Sequence, residues 1–73
     1  MSVKNPKTIT ARRLSVLELV FIGKTNEEIG QILGLSELTV KNHIYAILRI
    51  LGAYNRQNAV YNALKQGLLK VPA

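Results

Sequence analysis

Four polar side chains recur at helical spacing between residues 33 and 51, in a segment otherwise rich in valine, leucine and isoleucine: Lys41, Asn42, Tyr45 and Arg49. Lysine and arginine donate hydrogen bonds to guanine or to phosphate, asparagine pairs with adenine, and tyrosine offers a hydroxyl donor and a ring that can meet a thymine methyl group. This combination is typical of base recognition in nucleic acids. A polar outer face also occurs on surface helices that bind nothing, so further features are needed to separate the two interpretations.

The apolar residues of the same segment predict the helix that positions these side chains. They repeat every three or four residues and therefore share one face of a helix over residues 37–51. The outward residues are then Glu37, Lys41, Asn42, Tyr45 and Arg49. The apolar set is Val40, Ile44, Ile47, Leu48 and Leu51. Only the tripeptide Gly-Leu-Ser at 34–36 separates this helix from a shorter periodic segment at 26–33. So short a turn predicts a helix-turn-helix arrangement, in which the glycine adopts left-handed backbone and the leucine enters the shared core.

Helical periodicity continues through most of the chain and predicts an all-α fold. The four predicted helices span about residues 10–22, 26–33, 37–51 and 56–66. Each has a residue that can cap its N-terminus; these residues are Thr10, Thr25, Ser36 and Asn55. Glu28 adds a capping box to Thr25. The remaining predicted core residues are Leu14, Leu17, Val20, Phe21, Ile29, Ile32, Leu33, Ala59, Val60, Ala63, Leu64, Leu68 and Leu69.

Length, charge and composition limit the classes of protein. The chain has 73 residues, no cysteine and a formal charge of +6, which fit one small domain in a reducing cytoplasm without disulfides. No secretory leader or membrane-spanning run is recognisable, so no membrane association is expected. The basic excess favours a polyanionic partner. Residues 1–9 are interpreted as a flexible basic segment or the end of a linker, and residues 10–70 as the folded domain.

Catalytic and metal-binding functions are not favoured by the residue types present. The chain has one histidine, His43, and no cysteine, so the ligand spacings of a structural or catalytic metal site are missing. No nucleophile and base, and no carboxylate pair, stand at a spacing that supports catalysis. We therefore expect a protein that is not an enzyme and uses no cofactor or metal.

Residues 9–69 resemble the LuxR/GerE-type DNA-binding domain, also called NarL/FixJ-type, of bacterial transcription regulators. The matching segments are "GKTNEEIGQILGLSELTVKNHIYAILRILG" at 23–52 and "NRQNAVYNALKQGLL" at 55–69. The resemblance implies a four-helix fold in which the second and third helices read double-stranded DNA and the fourth mediates homodimerisation on it. It also implies two further partners, RNA polymerase and a regulatory domain N-terminal to this one.

The resemblance also implies roles for individual residues. Lys41, Asn42 and Tyr45 occupy the positions that read bases. The implied contacts with the DNA backbone are Lys24, Thr25, Asn26, Thr39, Val40, His43, Arg49 and Arg56. The outward residues of the last helix, expected at the dimer interface, are Asn58, Tyr61, Asn62 and Lys65.

Four of the residues assigned to the DNA backbone also have a structural alternative. Thr25 and Thr39 serve equally well as caps of their own helices. His43 fits a partly buried histidine that bonds a neighbouring helix, and Arg56 fits a solvated charge at the start of the last helix.

Departures from the family pattern also carry expectations. Arg13 and Ser15 stand where glutamates are usual, so a structural ion pair or cap in the first helix is expected to be missing. Gly30 stands where alanine is common and is expected to weaken its helix by about 1 kcal/mol. Ile50 and Tyr54 replace basic or polar residues and suggest an apolar surface for a partner.

Two other functions remain open at this point. The promoter-reading domain of sigma factors shares a similar helix-turn-helix, although its sequence usually ends after the reading helix. A helix-turn-helix relative that no longer binds DNA would act as a protein-interaction module or anti-activator. The polar residues on the outer face of the third helix favour DNA binding over the second alternative.

Overall fold

A computed structural model of the chain describes residues 9–71 and contains four α-helices in that range. The helices are α1 (Ala11–Phe21), α2 (Asn26–Leu33), α3 (Glu37–Leu51) and α4 (Arg56–Lys65). The predicted all-α, four-helix architecture is confirmed, with α2 and α3 at their expected bounds. Most of the segment interpreted as a flexible lead-in, residues 1–8, lies outside the described residues. None of the four helices has the length and apolar character needed to cross a membrane.

The N-termini of the helices follow from capping residues that the sequence identifies. The side chains of Thr10, Thr25, Ser36 and Asn55 each accept a hydrogen bond from the backbone N–H three residues further on. Helix α1 is one residue shorter than predicted at each end: Thr10 caps it as predicted, with an extended backbone, and Ile22 is its C-cap. Helix α4 ends at Lys65, and Gln66 forms its C-cap.

Helix α3 lies at the centre of the fold and packs against each of the other helices. Its residues Val40, Ile44, Ile47 and Leu51 are buried. The rest of the core comes from all the other helices and from the segment after α4: Val16, Leu17, Ile29, Ala59, Ala63 and Leu69. One face of α3 is thus fixed by the protein interior, and the opposite face is left for other contacts.

Two apolar residues differ from expectation. Ile32, predicted in the core, is 54% exposed, because the short helix α2 contacts the core chiefly through Ile29 and Leu33. Val16 was not among the predicted core residues, yet it is completely buried. In α1, the buried face is therefore rotated toward Val16 and Leu17, with Leu14, Val20 and Phe21 half-buried around it.

The turn between α2 and α3 holds the two helices in close contact. Gly34 adopts the left-handed conformation with φ of 71°, which only glycine takes without strain. The Leu35 N–H donates to the Gly30 carbonyl at 2.8 Å. Gly30 is buried, and a Cβ atom there would overlap the Leu35 carbonyl oxygen. Gly30 therefore has a role beyond its expected cost in helix propensity, because its missing side chain permits the close turn.

Candidate nucleic-acid interface

The outward face of α3 carries five exposed side chains in a narrow sector. At about 100° per residue, they fall within about 100° around the helix axis, opposite the buried residues. They are Leu38, Lys41, Asn42, Tyr45 and Arg49. We call this sector the reading face. The sequence placed the four polar members outward, and the structure agrees; Leu38 was not singled out, because only polar side chains were considered as readers.

Lys41 and Tyr45 interact with each other across one turn of the reading face. The Lys41 ammonium lies 5.9 Å from the centre of the Tyr45 ring, within the range of a cation–π contact. Such a contact at an exposed site contributes about 0.5–1 kcal/mol and favours a lysine that lies along the surface of the helix. A positive donor and an aromatic ring are therefore presented side by side at the centre of the face.

Ser36 and Thr39 form a hydrogen-bonded pair at the N-terminus of α3. The Ser36 hydroxyl accepts from the Thr39 N–H at 3.0 Å and donates to the Thr39 hydroxyl oxygen at 2.8 Å. Thr39 is half-buried, so the capping alternative describes its position well. A hydroxyl is both a donor and an acceptor, so the Thr39 hydroxyl can also contact an external group.

Arg56, at the first position of α4, connects α4 to the loop between α1 and α2. Its guanidinium donates to the Asn26 side-chain oxygen at 2.8 Å and to the Lys24 carbonyl at 3.2 Å. The alternative of a freely solvated Arg56 is therefore wrong. A guanidinium has five N–H donors, so this link leaves donors for an anion.

The N-terminus of α2 is closed by the capping box that the sequence predicts. The Glu28 carboxylate accepts from the Thr25 N–H at 2.9 Å, and the Thr25 hydroxyl accepts from the Glu28 N–H at 3.1 Å. The first of these hydrogen bonds holds the pKa of the Glu28 carboxyl below its ordinary value of 4.5, and the Lys24 ammonium lowers this pKa further. Thr25 is thus a cap, and its exposed hydroxyl retains a proton to donate.

These loop residues line one open groove. It has a volume of about 710 Å³ and lies where the end of α1 and the starts of α2, α3 and α4 meet. Lys24, Thr25, Asn26 and Arg56 share its wall with Glu37. Four of the residues expected at the DNA backbone are therefore brought together, although they come from positions 30 residues apart in the chain.

Val40 and His43, which were also assigned to the DNA backbone, do not line this groove. Val40 has no exposed surface and its N–H donates to the Ser36 carbonyl, so its assignment to the DNA backbone is corrected to a core role. His43 is half-buried on the flank of α3. Among residues 9–71, the His43 ring makes no side-chain hydrogen bond. The alternative that His43 bonds a neighbouring helix is therefore not supported.

The residues expected at the dimer interface divide into two pairs. Asn62 is half-buried and donates to the Leu51 carbonyl at the end of α3 at 3.0 Å. The Asn58 side-chain oxygen accepts from the Tyr54 N–H. Their placement as outward residues is corrected, because the Asn62 amide joins α4 to the end of α3 and the Asn58 amide joins α4 to the loop between α3 and α4. Tyr61 and Lys65 are exposed and contact each other, with the ammonium 5.3 Å from the ring centre.

The structure explains some of the residues that depart from the family pattern. The Ser15 hydroxyl donates to the Ala11 carbonyl at 3.1 Å within its own helix. Tyr54 is strongly exposed, whereas Ile50 is half-buried against the core, so the two do not form one exposed apolar surface. Within residues 9–71, no group of three or more histidine, cysteine or acidic residues could hold a metal ion.

Comparisons with known proteins point to one family. The model of the family described as "Bacterial regulatory proteins, luxR family" matches residues 7–63. Transcriptional regulatory protein DegU of Brevibacillus brevis is 41% identical over 63 residues, which cover 86% of this chain and 27% of that protein. Spore germination protein GerE of Bacillus subtilis (strain 168) is 40% identical over 63 residues, which cover 86% of this chain and 85% of that protein.

A solved structure has the same fold. The response regulator ChrA of a heme-sensing two-component system matches with a TM-score of 0.84 at 31% identity, over 93% of this chain and 33% of that chain. This chain therefore spans about a quarter of the length of DegU and about a third of ChrA, but most of the length of GerE.

Proposed function

The chain belongs to the luxR family of bacterial regulatory proteins, and we propose that it binds specific sequences of double-stranded DNA as the DNA-reading part of a transcriptional regulator. The relative DegU is a transcriptional regulatory protein. In this proposal α3 enters the major groove with its N-terminal half against the bases, as the second helix of a helix-turn-helix does.

The observation that carries the proposal is the reading face of α3. Its side chains are exposed while the opposite face of the same helix fills the core. The protein interior therefore does not need Lys41, Asn42 or Tyr45, and their donors and acceptors are available for base edges. Their chemistry matches the major groove, where each base pair presents its own pattern of hydrogen-bonding groups.

Contacts with phosphate would position α3 on the duplex. Lys24, Asn26 and Arg56 line the same groove beside the start of α3, and the hydroxyl of Thr25 lies at its edge. Arg49 extends the positive charge along the reading face. Such contacts give an affinity that falls steeply with salt and carries little sequence information.

Pairing of two chains through α4 is the second part of the proposal. Tyr61 and Lys65 offer an exposed aromatic ring and a positive charge on one side of α4. Aromatic residues are enriched at protein interfaces. Two copies joined in this way would cover half-sites about 10 bp apart, so that the symmetry of the site mirrors that of the protein.

The further partners of this domain are also part of the proposal. Since DegU and ChrA are longer than this chain, we propose that a regulatory domain on the N-terminal side controls α3, and that RNA polymerase is a partner at the promoter. The match covers 85% of GerE. This relation supports the alternative proposal of a regulator that consists of this domain alone.

The test begins with selection of duplexes from a randomised library, followed by fluorescence anisotropy at two salt concentrations. The double variant Lys41→Ala, Tyr45→Ala should lose the preference for the selected duplex over a scrambled one. It should keep the weak, salt-sensitive binding that the phosphate contacts provide. Lys70→Ala is the matched control, because it also removes one positive charge but lies beyond α4.

Two results would count against the proposal. Binding of the parent no stronger than that of an unrelated basic domain would favour the protein-interaction module instead. Equal loss of preference in Lys70→Ala would mean that net charge, rather than the reading face, explains the selection.

A further inference from the structure

Leu38 is an apolar side chain on an otherwise polar face. It is the second residue of α3 and is 67% exposed. It is not among the partly buried hydrophobic residues that pack against the core. A single exposed leucine is common on protein surfaces, so exposure alone does not assign a function to it.

The position of Leu38 on the helix provides the second observation. Lys41, Asn42 and Tyr45 follow it by three, four and seven residues, which places all four side chains on the same face. The distance from Leu38 to Tyr45 along the helix axis is about 10 Å at 1.5 Å per residue. This length corresponds to about three base-pair steps, so that Leu38 would lie within the same stretch of major groove as the polar readers.

The chemistry of leucine limits what it can recognise in that groove. Its side chain has no hydrogen-bonding group and would leave base donors and acceptors without a partner. The one apolar group that the four bases present in the major groove is the C5 methyl group of thymine. Contact between two apolar groups removes both from water and is favourable.

We propose that Leu38 determines specificity by packing against the 5-methyl group of a thymine at one end of the base-reading region. This inference rests on the proposed function, since it requires α3 in the major groove. It adds a chemical class of target: a half-site with thymine at one fixed position, where a base without this methyl group is bound more weakly. Tyr45 is the competing source of such a contact, since its ring lies on the same face.

Replacement of thymine by deoxyuridine tests the methyl contact by itself, because the base pair is kept and only the methyl group is removed. Each thymine of the selected duplex is replaced in turn, and affinity is measured by anisotropy for the parent and for Leu38→Ala. At one position, deoxyuridine should weaken binding of the parent about fourfold, the effect of removing one methyl-sized group from a contact. Leu38→Ala should bind the two duplexes equally.

Two variants separate Leu38 from other apolar groups. Ile32→Ala is the matched control, because Ile32 is an exposed branched residue of similar size outside α3; it should retain the fourfold effect. Tyr45→Ala should also retain it, although its overall affinity falls.

The outcomes keep this inference distinct from the proposed function. If the parent selects a site but no deoxyuridine substitution weakens it, or if the effect persists in Leu38→Ala and disappears in Tyr45→Ala, the role of Leu38 is overturned while DNA reading stands. If the parent binds no duplex specifically, both are overturned.

Discussion

Arg56 illustrates how one side chain can serve the fold and a ligand at the same time. Its hydrogen bonds to Asn26 and to the Lys24 carbonyl join the start of α4 to the loop before α2. The same guanidinium faces the groove in which we propose a phosphate contact. The planar fork of arginine allows this double use, whereas the single ammonium of lysine does not reproduce it.

A comparison of two variants separates these uses. Arg56→Lys keeps the charge and should lower the free energy of unfolding by about 1 kcal/mol through the lost hydrogen bonds, with the salt dependence of DNA binding retained. Arg56→Ala should lose stability and also reduce the slope of log affinity against log salt by about 1. Urea unfolding and anisotropy across a salt series measure the two quantities. A lysine variant as stable as the parent would contradict the structural role.

Individual residues also show what the sequence could and could not predict. Helical periodicity alone placed Lys41, Asn42 and Tyr45 outward, because the buried stripe of α3 is regular. The same periodicity places Leu38 outward, but it was missed as a reader because its side chain has no hydrogen-bond donor or acceptor. Asn62 was misplaced because the Leu51 carbonyl that it bonds lies at the end of another helix, a contact that depends on packing rather than on local pattern.

At the scale of elements, the capping box of α2 makes helix stability depend on pH. The Thr25 N–H lowers the pKa of the Glu28 carboxyl below 4.5. A depressed pKa means that the carboxylate stabilises the fold above the unfolded pKa, and that this contribution is lost as the pH falls through the folded value. The contribution of the Glu28 carboxylate is therefore complete at neutral pH and is lost in acid, while the hydrogen bond from the Glu28 N–H to the Thr25 hydroxyl does not titrate.

Glu28→Gln isolates this effect, because its amide oxygen can still accept from Thr25 but does not titrate. Between about pH 6 and about pH 3, the stability of the parent should decline more than that of the variant, starting near the ordinary carboxyl pKa. The other three glutamates are common to both proteins and cancel in the comparison. Urea unfolding at each pH measures it; parallel curves for the two proteins would contradict the account.

The turn between α2 and α3 gives a second element-scale prediction. Alanine at position 30 would add helix propensity worth about 1 kcal/mol, but its Cβ would overlap the Leu35 carbonyl oxygen. Because the overlapped atom belongs to the backbone, relief requires a shift of the turn that costs about 1–3 kcal/mol. Gly30→Ala should therefore be less stable than the parent by about 1 kcal/mol in thermal or urea unfolding.

The matched control for Gly30→Ala is Gln31→Ala, an exposed neighbour in the same helix. It should leave stability almost unchanged. An alanine at position 30 that raises stability would mean that propensity, and not the closeness of the turn, dominates there.

For the whole molecule, the arrangement is one helix supported by three others. Helix α3 contacts α1, α2 and α4, so its orientation is fixed from three sides. The order and approximate bounds of the helices were predictable, since each has a cap at its start and an apolar stripe. The groove was not predictable from pattern, because it joins residues from separate helix ends whose proximity depends on tertiary packing.

Pairing through α4 is a prediction at this scale. Tyr61→Ala should weaken binding to a duplex with two half-sites by about tenfold, the effect of truncating one aromatic interface anchor. Binding to a single half-site should not change. Ile22→Ala is the control, since Ile22 is similarly exposed but lies at the end of α1. Gel-shift titrations with both duplexes measure the effect, and equal losses on the two duplexes would contradict dimerisation through Tyr61.

The central claim is that the reading face of α3 lies in the major groove. It is tested most directly by intermolecular nuclear Overhauser effects in a complex of isotope-labelled protein with the selected duplex. We expect signals from the Leu38 methyl groups and the Tyr45 ring to thymine methyl and cytosine H5 protons, which line the major groove. Signals from these side chains only to sugar or minor-groove protons, or signals to DNA only from a face other than α3, would contradict it.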